Sequence, residues 1–181
     1  MTNKEQAVKL KRILVALGLC VSFLAAPAAH ADVAGDFLSG LEGKFRGRGM
    51  AKILNRDKAE PVSCKVSNSY DAAKSSLQVV GDCASSQGKS KVSGNISHSG
   101  DAVSGAFIGN IEGSTVTGSR GSVSAGRLVI NSNLVDNATG NLTRTRQVIR
   151  KEGAGFVAEF YSYDNKSAKY ELNGTMNFTK G

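Results

Sequence analysis

Beyond residue 31 the chain offers few groups for chemistry. It has two cysteines, Cys64 and Cys83, and a single histidine, His98. Two cysteines are too few ligands for a structural metal site, and no C-x-x-C is present. A redox-tuned thiol needs that spacing or a helix N-terminus, and neither occurs here. A disulfide is the simpler expectation. His98 sits in Ser97-His98-Ser99-Gly100-Asp101 and reads as a solvated turn residue. A Ser-His-Asp triad would have to use it with Asp101, yet there is no G-x-S-x-G elbow. Ser86-Gln87-Gly88-Lys89 matches S-x-x-K, but Gly88 and its polar neighbours predict a loop. The helical turn that holds such a pair together is missing. The carboxylates are scattered, with no pair placed for glycoside hydrolysis. The glycine-rich stretch 94–126 is ordered for turns and not as G-x-G-x-x-G before a helix. The reading is a non-catalytic protein with no metal and no cofactor.

The first 31 residues set the compartment. MTNKEQAVKLKR is basic, ILVALGLCVSFLAA is apolar, and Ala29-His30-Ala31 precedes Asp32. This is the layout of a secretory signal with an A-x-A cleavage site. The apolar run is too short to favour a permanent span. Leu19, directly before Cys20, is too large for a lipoprotein cleavage site. The expectation is a signal peptide over 1–31, one domain over 32–181, a periplasmic or secreted location and no transmembrane anchor. An oxidising compartment favours pairing of Cys64 with Cys83. Of 23 basic and 15 acidic residues, Lys4, Lys9, Lys11, Arg12 and Glu5 fall in the signal, which leaves 19 against 14, a net +5. That balance favours acidic partners or anionic surfaces.

The elements are short and alternate. No helical stripe of useful length follows the signal except Val33–Leu41, a turn or two. Strands are predicted over 44–53, 60–70, 75–84, 91–97, 102–110, 127–134, 141–151, 156–163 and 169–180, separated by turn residues. In the first, Phe45, Gly47, Gly49, Ala51 and Ile53 share one face and Lys44, Arg46, Arg48 and Lys52 the other. The basic side chains cover the solvent face and discourage edge pairing. A hairpin around Asp71-Ala72-Ala73-Lys74 that pairs Tyr70 with Leu77 puts Asn68 opposite Val79, Val66 opposite Gly81 and Cys64 opposite Cys83. Directly opposed residues have the short Cα separation a disulfide needs. In the last strand Tyr170, Leu172, Met176 and Phe178 share a face. The expected core comprises Phe45, Tyr70, Leu77, Phe107, Phe156, Phe160, Leu172 and Phe178. The fold class is all-β, a single-domain antiparallel up-and-down barrel of 8–10 strands closed by the last strand on the first. A two-sheet sandwich is the alternative.

Gly43-Lys44-Phe45-Arg46-Gly47, after a short helical turn, resembles the G-x-W opening of lipocalins and the wider calycin group. Gly43 to Gly49 also resembles the opening of nitrobindin-like haem proteins. The resemblance implies a small barrel with Phe45 at its floor, where the families have Trp; this chain has no Trp. A haem would need a histidine at the cavity, and His98 at a turn is poorly placed for that.

The resemblance, with the small inward residues Gly47, Gly49, Gly81, Gly94 and Gly105, favours a barrel that binds a small apolar or amphipathic ligand inside. A protein-binding module is the second reading, such as a protease inhibitor acting through Asp32–Asp36 or an envelope-assembly factor. The third is a binder of anionic envelope glycolipid through Lys44, Arg46, Arg48, Lys52, Arg144, Arg146 and Arg150. Tyr161 and Tyr163 lie opposite in parity to Phe156 and Phe160, which places them outside as an interface candidate. Nucleic acid is disfavoured by the compartment and by the lack of stacking aromatics among the charges.

Overall fold

Alternation of apolar and polar residues with period two needs a structure with one dry side and one wet side. A computed structural model shows how the chain supplies it; the structure describes residues 32–52, 58–111 and 113–181. A short helix, α1 (Val33–Ser39), precedes ten strands. They are β1 (Gly43–Ala51), β2 (Glu60–Asp71), β3 (Ser76–Ser85), β4 (Gly88–Ser99) and β5 (Ala102–Ile111), then β6 (Ser114–Ser124), β7 (Arg127–Asp136), β8 (Leu142–Glu152), β9 (Gly155–Asp164) and β10 (Lys169–Lys180). Each pairs antiparallel with the next, and β10 pairs with β1, so the sheet closes into a barrel without edges. The predicted signal peptide, its cleavage site and Ile53 lie outside the described residues.

The outer wall carries Lys44, Arg46 and Arg48 on β1, Lys65 on β2, Lys91 on β4 and Arg127 on β7, all exposed, while the inside is apolar. A membrane-spanning barrel has the reverse pattern, with an apolar lipid-facing band.

The β2–β3 hairpin has the register that the apolar pattern requires. Tyr70 faces Leu77, Asn68 faces Val79, Val66 faces Gly81 and Cys64 faces Cys83. The two cysteines are bonded, with Cα atoms 4.0 Å apart. A 3-10 turn over Ala72–Lys74 makes the reversal; the Asp71 side chain accepts from the N–H groups of Ala73 and Lys74. Strand β6, whose serines and glycines read as turn material, is a full strand because neighbours on both sides supply its ladder.

One end of the barrel is closed by α1. Asp32 caps the helix through Gly35 N, and Ala34, Phe37, Leu38 and Leu41 are buried against the strands. Asn68 Nδ2 donates to the Leu41 carbonyl at 2.9 Å, and Lys151 Nζ donates to the Asp36 carbonyl at 3.1 Å. Inside this end, four rings interlock. Phe156 stacks on Phe178 at 4.5 Å, and Phe45 and Phe107 meet Phe156 edge-on at 5.0 and 5.2 Å. Phe45 is therefore a floor residue within a cluster of phenylalanines.

β5 departs from plain alternation. Ala106, Phe107 and Ile108 are buried in succession because the strand bulges into the barrel, with register shifts against both β4 and β6. Its backbone is satisfied from across the lumen. Gln147 Oε1 accepts from Phe107 N and Ile108 N, and Gln147 Nε2 donates to the Ile108 carbonyl at 2.8 Å.

A bulge in β10 overturns one core assignment. Leu172 pairs with Tyr161 and Gly174 with Phe160, so Asn173 is an extra residue and parity flips there. Met176 and Phe178 face the core, but Leu172 is 51% exposed and Tyr170 turns outward with it. Leu77, Phe107, Phe156 and Phe178 are fully buried, and Tyr70 and Phe160 are partly buried against the core.

Candidate functional site: a basic and aromatic outer face

The first place to look for a ligand is the lumen. The inward glycines that suggest spare volume are already occupied: a Cβ on Gly47 would meet the Phe178 ring, and one on Gly81 the Lys65 carbonyl. On Gly49, Gly94 and Gly105 it would meet the backbone of the adjacent strand. These residues are small because something else already comes close to them.

The barrel floor holds a second arrangement, around His98. Its side chain is 4% exposed, so it is not a solvated turn residue. β4 runs on to Ser99, and the inward parity of Val92 and Ile96 continues through His98. Tyr70 Oη lies 2.8 Å from His98 Nε2, and Asp32 Oδ1 lies 3.3 Å from Nδ1, off the line of a hydrogen bond. The order Tyr–His–Asp has the shape of a relay. Burial pushes the Tyr70 phenol above its ordinary value, and Asp32, Asp36 and Asp71 push it the same way. The Tyr70–His98 contact ties β2 to β4, and Asp32, which caps α1, stands beside the imidazole. Ser86 and Lys89 are not brought together: Ser86 Oγ donates to Glu60, and Lys89 pairs with Ala84 on the sheet.

The wall built by β6–β10 is different. On β8 the outward residues are Leu142, Arg144, Arg146, Val148 and Arg150; on β9 they are Val157, Glu159, Tyr161 and Tyr163. The registers bring Asn131, Arg146, Tyr161 and Leu172 into one row, with Tyr163 beside Tyr170. Between them lies a cleft of about 340 Å³ lined by Ser122, Ser124, Arg127, Val129, Arg146, Val148, Tyr161 and Tyr170. Val148 and Val157 face outward yet are buried, as an apolar floor under longer side chains.

Arg144 and Arg146 are held in place without being neutralised. The Arg144 guanidinium lies 3.5 Å from the Tyr163 ring centre, and that of Arg146 lies 4.0 Å from Tyr170. Tyr163 meets Tyr170 edge-on at 5.3 Å. Arg146 Nε donates to Asn131 Oδ1 at 2.8 Å. Among the described residues, the carboxylates paired on this face are Glu152 and Glu159, both on Arg150. Glu159 also accepts from Tyr161 Oη at 2.9 Å; burial, then that contact, raises the Tyr161 phenol above its ordinary value. Arg127, Arg144 and Arg146 thus keep donors free for an anion.

No protein-family model matches the chain, and no curated protein matches its sequence. The site is therefore read from its own geometry.

The basic residues expected from sequence fall on one continuous outer surface. Arg144, Arg146 and Arg150 lie on β8, and Lys44, Arg46 and Arg48 on β1, with Lys52 just beyond. β9 and β10 separate them, three strand spacings or roughly 14 Å. Tyr161 and Tyr163 are outside, as parity required. Sequence reasoning missed Arg127 and Tyr170. Arg127 opens β7 directly across from Arg150, a pairing that needs the register. Tyr170 reaches the face only through the β10 bulge.

Proposed function

We propose that this protein is a non-catalytic binding protein of the extracytoplasmic envelope that recognises an anionic amphipathic molecule on its outer face. The observation that carries the reading is the cleft. Arg127 and Arg146 stand over a floor of Val129 and Val148, between the rings of Tyr161 and Tyr170. Guanidinium groups supply forked donors for a phosphate or carboxylate. The valines and tyrosines receive the adjoining apolar part. Arg146 is already stacked on Tyr170 and hydrogen-bonded to Asn131, so ordering it costs little on binding.

The Sec-type leader and the Cys64–Cys83 bridge support the compartment. The small closed barrel is consistent with the calycin-like opening, and the binding surface is on its exterior.

The test is calorimetric titration of the barrel with dihexanoyl phosphatidic acid below its micelle concentration, using dihexanoyl phosphatidylcholine as the neutral control. Binding of the acid that exceeds that of the control is expected. Arg127→Gln with Arg146→Gln should weaken it about tenfold or more, since each charge-assisted bond contributes about 1.5–3 kcal/mol. Equal binding of both lipids, or an unchanged affinity in the double variant, overturns the reading.

A further inference from the structure

The end of this face farthest from α1 carries apolar side chains with no partner. Leu142 is 59% exposed, Leu172 51% and Met50 47%. They lie on β8, β10 and β1, the same outer wall that carries the cleft. Among the described residues, the other large exposed apolar ones are elsewhere: Val33 on α1 and Val80 on β3. Tyr163 and Tyr170 stand among the three, with Arg144 and Arg146 over their rings. Lys52 is adjacent, its N–H bonded to the Asn173 carbonyl beside Leu172. Of the acids described at this end, Asp136 and Asp164 are held by N–H groups of their own turns and Glu60 accepts from Ser86, while Glu171 stays exposed beside Leu172.

Leucine and methionine tips, tyrosines with an apolar body and a polar end, and cations on long stems suit a bilayer interface. The tips enter the acyl boundary, the phenols sit at headgroup depth, and the cations meet lipid phosphates. The charge is complementary to an anionic leaflet.

We infer that this corner docks peripherally on an anionic lipid leaflet. Leu142, Leu172 and Met50 enter the interface, and the adjoining cleft receives one lipid headgroup. The inference rests on the cleft reading for the headgroup and on the exposed apolar residues for the docking.

The absence of tryptophan makes the test local. Leu172→Trp and, separately, Val80→Trp each introduce a single reporter at an exposed site. Both are titrated with vesicles of phosphatidylcholine containing a minority of phosphatidylglycerol, and with pure phosphatidylcholine, at about 0.15 M salt. The expected result is a blue shift of the reporter at 172 with the anionic vesicles only, and none at 80. Leu142→Ser with Leu172→Ser should reduce sedimentation with the anionic vesicles, and each arginine removed should cost roughly fivefold. Equal shifts at 80 and 172, or no shift at 172, overturn the docking. If the barrel binds soluble dihexanoyl phosphatidic acid through Arg127 and Arg146 but the reporter at 172 never shifts, the docking fails and the cleft reading stands. If the reporter shifts and the arginine variant binds the soluble lipid like the parent, the cleft reading fails and the docking stands.

Discussion

The inner side of β8–β10 packs Ile149, Phe156, Ala158, Met176 and Phe178, all at 3% exposure or less. The outer side of the same three strands keeps Arg146, Tyr161, Tyr163 and Tyr170 in partial contact with water and leaves Arg144, Leu142 and Leu172 open. Both sides are rich in ring contacts. Inside, ring meets ring. Outside, ring meets guanidinium, and much of the polar surface remains available. The difference teaches where selection for stability ends: a face that served only solubility would not bury Val148 and Val157 beneath arginines.

Truncating the inner stack should break the fold hardest. Phe178→Ala removes a ring packed on Phe156 and leaves a cavity beside Gly47, and the loss should reach about 3–5 kcal/mol. Urea unfolding measures it; a loss under about 1 kcal/mol would mean the stack is loosely packed. The bridge is next. Cys64→Ser with Cys83→Ser reopens a loop of sequence separation 19 and should cost about 3 kcal/mol on the chain-entropy account. The same drop should appear when the parent protein is reduced, and an unchanged melting temperature would contradict the pairing.

Gln147→Leu tests the bond across the lumen. It strands the N–H groups of Phe107 and Ile108 and the Ile108 carbonyl, at a cost of about 1–3 kcal/mol. Faster amide exchange at Phe107 and Ile108 should accompany it, and protection equal to the parent's would show the bulge holds without Gln147. On the outer side the expectation reverses. Arg127→Gln with Arg146→Gln should change stability by no more than about 0.5 kcal/mol while weakening anion binding. A large loss of stability would make these arginines structural and remove the contrast between the two sides.

The smallest effect concerns acid. The Asp136 carboxylate is held below its ordinary value, first by the Thr139 N–H and then by the Thr139 hydroxyl and the Ala138 N–H. A lowered value in the fold means the stabilisation is full above about pH 3.9 and is lost as pH falls through the depressed value. Asp136→Asn should therefore lower neutral stability slightly and flatten the acid limb below about pH 4, where parent and variant converge. An identical acid limb in parent and variant would assign acid unfolding to other carboxylates.

Much of the fold was legible because period-two patterning is local. The parity of Val66, Asn68 and Tyr70 against Leu77, Val79 and Gly81 fixes a register, since a one-residue slip would turn the whole apolar set to water. Cys64 then falls opposite Cys83, and closure of the last strand on the first follows from the edges that would otherwise remain. β6 was not legible, because its serines and glycines carry no apolar alternation. His98 was misread for a related reason: Ser-His-Ser-Gly-Asp has turn composition, and its inward direction emerges only when parity is carried through from Ile96.

The sequence by itself determined the antiparallel barrel, the bridge and the outward direction of Arg144, Arg146, Arg150, Tyr161 and Tyr163. Each follows from composition or from strict alternation along one strand. Only the tertiary structure decided that Gly47 admits the Phe178 ring and that the other inward glycines lie close against neighbouring backbone. It also decided that Leu172 and Tyr170 turn outward and that Arg127 joins Arg146 across a cleft. Those facts depend on bulges and on register between strands distant in sequence. A bulge shifts parity by one residue wherever closing the barrel needs it, and no local pattern records that shift.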